Sequence, residues 1–225
     1  MKLLCSNGVK AVLLELIPQP ERSTGTKLAI TWASTAMLLD QIKGGADGDL
    51  TILTAEAIDA LIAQGKLVAG SRVDLARSAI GIAVRQGAKK PDISSPAALK
   101  AALLAAKSIC YSRTGISGIY FPTVLERLGI AEAMQGKIVI PEVGMVGDVV
   151  VKGDAELGIQ QISELLPVPG VEIVGPLPDE LQKMTTFSAG VFATAKEPDA
   201  ARALVKALTA PAVRPLYREK GMEAV

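Results

Sequence analysis

Short apolar runs alternate with polar, glycine-marked breaks along this chain, and the alternation has a regular order. Lys2 to Cys5 reads as a strand, Ser6-Asn7-Gly8 as a tight polar turn, and Val9 to Leu16 as a helix that ends at Pro18. Ser23 to Gly25 turns the chain into a second strand, Lys27 to Trp32. Ser34 or Thr35 then caps a helix over Ala36 to Ile42, closed by Gly44-Gly45. A third strand, Asp49 to Leu53, leads through Thr54 as cap into a helix over Ala55 to Gln64. Strand, loop and helix repeated in this order predict a mainly parallel sheet flanked by helices, an α/β fold. Such sheets bind ligands outside the carboxyl ends of their strands, so Ser6, Asn7, Ser34, Thr35 and Thr54 are expected along one rim.

The pattern then changes. Leu67 to Ala76 reads as a connection, and Ser78 to Arg85 as a strand that leaves the first sheet. Ser94-Ser95-Pro96 starts a helix that runs to Ala106. Further strands are expected at Lys137 to Ile140, Leu157 to Gln161 and Val171 to Val174, with a helix over Met145 to Lys152. Met184 to Thr194 reads as a long returning strand, followed by helices over Pro198 to Leu208 and Ala212 to Lys220. Two crossings around an inserted block predict two lobes: residues 1–80 with 183–225, and 81–182. Two short connections make a hinge, with a ligand cleft between the lobes.

One stretch within the inserted block stands out. Ile109-Cys110-Tyr111 is a short apolar run, and Ser112 to Gly118 is rich in hydroxyls and glycine with one cation, Arg113. A helical pattern begins at Ile119, with Pro122 in its first turn and Gly129 at its end. A helix starting on such a loop offers unsatisfied N–H groups and a positive dipole end, which favour anions. Thr114, Ser117 and Gly118 are therefore candidate contacts beside Arg113.

Composition narrows the chemistry. The 225 residues are 49% hydrophobic and 3% aromatic, with a formal net charge of +1, which gives no electrostatic case for nucleic acid or a membrane surface. No window approaches the ~20 apolar residues of a membrane span, and no secretory signal is visible at Met1-Lys2. There is no histidine, which excludes a Ser-His-Asp triad, a Cys-His dyad and His-ligated metal; no metal or other cofactor is expected. The two cysteines, Cys5 and Cys110, lie in predicted buried strands and are expected to be free.

The succession C-S-N-G, W-A-S-T-A-M-L-L-D-Q-I, D-L-T-I-L-T, Y-S-R-T-G-I-S-G-I-Y, G-D-A-E-L-G-I-Q-Q and L-T-A-P-A-V-R-P-L-Y-R-E-K-G resembles the type II periplasmic solute-binding proteins, most of all their molybdate-binding branch. The resemblance covers essentially the whole chain. It implies the two-lobe type II fold, a monomer, an interlobe anion site built from hydroxyls and helix amides, and an ABC permease as partner if the protein is exported; otherwise it is cytoplasmic. Position by position, it places the family's first serine at or beside Gly8, its second at Thr35, its helix-start residue at Ser117, its backbone donor at Val143 to Met145 and its tyrosine at Gln161.

Two departures redirect the ligand. The first hydroxyl and the tyrosine are missing at their usual positions, and Arg113 stands where oxyanion binders use neutral groups. A guanidinium suits a planar carboxylate through a bidentate fork, so a di- or tricarboxylate is expected in place of a molybdate-type oxyanion. Arg77, Arg72, Lys10, Gln160 and Gln161 are further candidates to face the ligand. The branch also holds an aconitate isomerase and proteins labelled 3-oxosteroid isomerase, so a double-bond-shifting enzyme is the alternative, its base left unassigned.

Overall fold

The computed structural model describes residues 1–17, 27–141 and 145–225. The expected helix end at Pro18, the turn at 23–25 and the donor position Val143 lie outside them. In chain order the main elements are β1 (Lys2–Ser6), α1 (Lys10–Leu16), β2 (Ala29–Ala33), α2 (Thr35–Lys43), β3 (Leu50–Thr54), α3 (Ala55–Ala63), β4 (Val73–Ser78), β5 (Ile80–Arg85) and α4 (Pro96–Ala105). They continue as β6 (Ile109–Tyr111), α5 (Ile116–Arg127), α6 (Ala131–Met134), β7 (Ile138–Val139), α7 (Val146–Lys152), β8 (Leu157–Gln161), α8 (Ile162–Leu165) and β9 (Val171–Pro176). β10 (Thr185–Val191), α9 (Pro198–Leu208), α10 (Arg214–Glu219) and β11 (Met222–Ala224) complete the chain.

The chain divides into two compact units, Met1–Ser78 with Thr185–Val225, and Ala79–Met184. The first holds a six-stranded mixed sheet in the order β11-β4-β10-β3-β1-β2. β1, β2 and β3 are parallel, while β10 runs antiparallel to both β3 and β4. Alternation along β1 serves both faces of this sheet. Leu3 and Cys5 join Val12, Ile52, Phe187 and Tyr217 on one side; Leu4 joins Leu38, Ile42, Leu53 and Ile58 on the other. A strand buried on both faces reads as a continuous apolar run, which is what L-L-C supplies. The second unit holds a five-stranded sheet, β7-β6-β8-β5-β9, in which β6, β7 and β8 are parallel and β5 is antiparallel to β8 and β9. Ile82, Ile109, Tyr111, Phe121 and Ile159 pack on one face, with Ala83, Cys110, Val146 and Leu165 on the other.

Several expectations about elements are corrected. The stretch read as a connection runs into β4, whose Asp74 and Arg77 interrupt the apolar pattern of an otherwise largely buried strand. The strand read over Ser78 to Arg85 is two strands, separated at Ala79. The returning strand is shorter, Thr185–Val191. α5 begins at Ile116, so Pro122 sits inside the helix and Ser117 and Gly118 belong to its first turn instead of the loop. β11 and the four-residue α8 have no counterpart in the pattern reading.

Cys5 and Cys110 are free and buried, and burial pushes the Cys110 thiol up to about 11. Among the described residues no group of His, Cys, Asp and Glu is placed to hold a metal ion, and no helix is long and apolar enough to cross a membrane.

Asp49 closes the start of the first sheet. Its carboxylate accepts backbone N–H bonds from Lys2 at 2.7 Å, Lys196 at 2.7 Å and Glu197 at 2.8 Å. Burial works to raise its pKa, but the three donors outweigh burial and hold it below the ordinary carboxylate value. A group depressed in this way stabilises the fold above the usual carboxylate range, and the contribution disappears as pH falls through the folded pKa. Asp49→Asn is therefore expected to lower stability by roughly 1–2 kcal/mol at pH 7, because the amide nitrogen would face a backbone donor. Urea unfolding at falling pH should show the gap between variant and parent closing; a gap that persists at pH 2 would contradict this origin.

Candidate functional site

In the first unit, parallel β1, β2 and β3 bring Ser6, Ser34-Thr35 and Thr54 to the same edge of the sheet. Ser6, at the end of β1, is buried. Its hydroxyl accepts from the Gly8 N–H at 3.4 Å and from the Thr35 hydroxyl at 3.5 Å. Ser34 caps α2 by accepting from the Met37 N–H at 3.3 Å, and Thr35, buried, opens the helix. Asn7 is half-buried in the short turn between β1 and α1. Gly8 is fixed by packing: a Cβ there would lie 2.1 Å from the Phe187 ring. That contact gives a physical reason why the position lacks a hydroxyl, with Ser6 supplying one two residues earlier.

The three candidate cations of this unit, Lys10, Arg72 and Arg77, have partners. Lys10 stands over the Trp32 ring at 5.7 Å, which accounts for a lysine at a helix start without an anion. Arg72 binds Asp74 through two nitrogens, at 2.8 and 3.0 Å, and also pairs with Asp59. Asp74 thus belongs to Arg72, and Arg77 instead pairs with Glu223 of β11 at 3.4 Å, directly opposite in register and exposed.

In the second unit the parallel strands β6, β7 and β8 again send their carboxyl ends to one edge, and α5, the first turn of α7, and α8 begin there. The loop after β6 packs tightly against the start of α5. The Ser112 hydroxyl accepts from the Gly115 N–H at 3.1 Å, and a Cβ on Gly118 would meet the Ser112 carbonyl oxygen at 1.7 Å. Gly115 caps the helix and has no side chain to offer its first-turn N–H groups. Within that turn Ser117 is fully buried, and among the described residues its hydroxyl has no hydrogen-bond partner. Buried polar atoms are nearly always paired, so this hydroxyl is an open donor at the positive end of a twelve-residue helix. Arg113 and Thr114 are exposed in the loop above. Among the described residues Arg113 has no acidic partner.

Met145 precedes α7, its N–H donating to Asp148 at 3.3 Å. Gln160 and Gln161 end β8, both buried, and the Gln160 carbonyl oxygen has no partner among the described residues. Tyr120 is held in structure: its hydroxyl donates to the Leu181 carbonyl at 3.2 Å, and Lys183 covers its ring. A group the sequence does not single out is Glu164 on α8. The residue is half-buried; burial of its carboxyl pushes the pKa up to about 7, with the Gln160 side chain acting in the opposite direction.

Residues 1–223 match a family model described as bacterial extracellular solute-binding protein. The chain is 36% identical over 231 residues to an aconitate isomerase of a Pseudomonas species, a match spanning 100% of this chain and 88% of that protein. It is 27% identical over 217 residues to a molybdate-binding protein of Azotobacter vinelandii, covering 94% of this chain and 84% of that one. The solved periplasmic molybdate-binding protein of Azotobacter vinelandii superposes with a TM-score of 0.81 at 20% identity, over 99% of this chain and 98% of that chain. Two mixed α/β sheets, strand-end hydroxyls and helix-start donors thus accompany a full-length sequence match: this chain belongs to the bacterial extracellular solute-binding protein family.

Proposed function

We propose that this protein binds a small carboxylate anion, as the solute receptor of an uptake system working with an ABC permease. The observation that carries the reading is the Ser117 hydroxyl, fully buried and unpartnered in the first turn of α5 beneath the loop that carries Arg113. The hydroxyl and first-turn amides suit a negatively charged oxygen, and a nearby guanidinium suits a carboxylate more than a tetrahedral oxyanion. A thermal-shift panel of molybdate, tungstate, sulfate, citrate, cis- and trans-aconitate and tricarballylate tests it. A tricarboxylate is expected to raise the melting temperature most; no shift with any anion at millimolar concentration would end the anion reading. Arg113→Ala is expected to weaken the best carboxylate about tenfold, the worth of one charge-assisted contact, with an unchanged ligand-free melting temperature because the side chain is exposed. Titration calorimetry giving equal affinity in the variant would return the ligand to the oxyanion class.

A second reading is supported by the full-length likeness to an aconitate isomerase: the bound tricarboxylate is also isomerised by moving its double bond. Mixing the protein with trans-aconitate and following cis-aconitate by proton NMR decides between receptor and enzyme.

A further inference from the structure

One face of α9 carries two cations around an apolar residue. Arg202, Val205 and Lys206 stand at helical spacings of three and four, which sets them side by side on the helix. Val205 is buried in the core of the first unit together with Val191 of β10, and Val73 of β4 packs against that core. An open cavity of about 380 Å³ lies at this place, lined in part by the three valines, Ser71, Arg202 and Lys206. Ligand pockets run from ~300 to 1,000 Å³, so the volume suits a small molecule.

The chemistry of the cavity is divided in two. The valines give it an apolar floor continuous with the core. Its rim is cationic: Arg202 and Lys206 are exposed, and no acidic residue lines the cavity. Arg202 pairs with Asp199 at 2.7 Å, but both side chains are exposed, and such a pair is too weak to withhold the guanidinium from a competing anion. Lys206 has no acidic partner among the described residues. The Ser71 oxygen accepts the Val191 N–H at 3.1 Å, which leaves its hydroxyl proton to donate.

This cavity is separate from the strand-end hydroxyls of the same unit. β10 runs antiparallel to β3, with Phe187 opposite Thr54 and Val191 opposite Leu50. Thr54 ends β3 at the edge that carries Ser6 and Thr35, whereas Leu50 begins it. Val191 therefore lies about 13 Å towards the other edge, at ~3.3 Å per residue.

We infer that the cavity is a second ligand site, for a small amphipathic monocarboxylate. The hydrocarbon part lies on Val73, Val191 and Val205, and the carboxylate meets Lys206 and Arg202 at the rim. Burial of the apolar part supplies affinity, and the two cations supply orientation and selection. A di- or tricarboxylate does not fit this division, because a further charge would be set against the valines without a partner. The site thus selects against the ligand class proposed for the helix start of the second unit, and the two readings stand or fall independently.

The test is a titration of the full chain, isotope-labelled at its valine methyl groups, with sodium octanoate followed by NMR. Saturable shifts are expected at Val73, Val191 and Val205. Octyltrimethylammonium, with the same chain and the opposite charge, should leave them in place, and so should citrate. Arg202→Gln combined with Lys206→Gln should weaken octanoate at least about tenfold, for loss of charge-assisted contacts, with an unchanged ligand-free melting temperature because both side chains are exposed. No saturable valine shift with octanoate at millimolar concentration overturns the site. Equal shifts with the ammonium compound or with citrate, or equal octanoate affinity in the double variant, overturn the monocarboxylate assignment. Should the double variant melt lower, the ammonium comparison on the parent decides the question of charge by itself. The same shifts on raising the protein concentration alone would mean that a second copy of the chain covers this face, and would overturn the small-molecule site.

Discussion

Gly118→Ala is expected to destabilise the second unit by about 3 kcal/mol, at the upper end of what overpacking a rigid site costs. The added methyl would sit 1.7 Å from the Ser112 carbonyl oxygen and 2.7 Å from its carbonyl carbon. These are backbone atoms, and Ser112 is itself tied to Gly115 by its hydroxyl, so no side chain can swing aside. Alanine's better helix propensity returns at most about 1 kcal/mol. For a protein of this size the balance corresponds to a melting temperature lower by roughly 4–12 °C. The same displacement would lift the Arg113 loop away from the start of α5, so anion binding should fall with stability. Calorimetry of the variant checks it; an unchanged melting temperature would mean that the loop and helix are not in the close contact described.

Ser117→Ala should behave in the opposite sense. Its hydroxyl is buried and unpartnered, so the ligand-free protein loses no hydrogen bond on truncation and sheds an uncompensated polar atom. Stability is expected to stay level or rise by about 1 kcal/mol. A hydrogen bond to a charged ligand contributes about 1.5–3 kcal/mol, so affinity for the best anion should drop roughly 10- to 150-fold. The pairing of steady stability with lost affinity is what separates a ligand donor from a helix cap. If Ser117→Ala melts several degrees lower without ligand, the hydroxyl is structural and the anion site must be sought elsewhere.

The features that could be read from sequence were those with a local cause. L-L-C between polar residues declares a strand buried on both faces, and Ser34 and Ser95 each announce a helix by occupying its cap, as their bonds to the Met37 and Ala98 N–H groups show. What escaped depends on distant partners. β4 was obscured by Asp74 and Arg77, which are tolerable in a strand because Arg72, Ser188 and Glu223 meet them there. Three-residue β11 exists only because β4 offers it an edge. The start of α5 was displaced because Gly115, Ser117 and Gly118 have loop chemistry; the glycine at 118 serves close packing under a helix, which composition does not distinguish from a turn. Glu164 shows the same limit for the candidate site: sequence records a carboxylate four residues after Gln160 but not the burial that changes its proton affinity.

The place of β10 in the first sheet bears on how the protein is made. This strand, from late in the chain, joins β3 to β4, and β11 is attached only through β4. A ribosome releasing the chain from its amino end therefore delivers all of the second unit, continuous from Ala79 to Met184, before the first can close its sheet. The inserted unit can complete its core during synthesis, while β3 waits with a bare edge until the residues of β10 emerge. In that interval β3 is open to pairing with another chain on one edge and β4 on both, and the gap between them closes when Thr185–Val191 enters it.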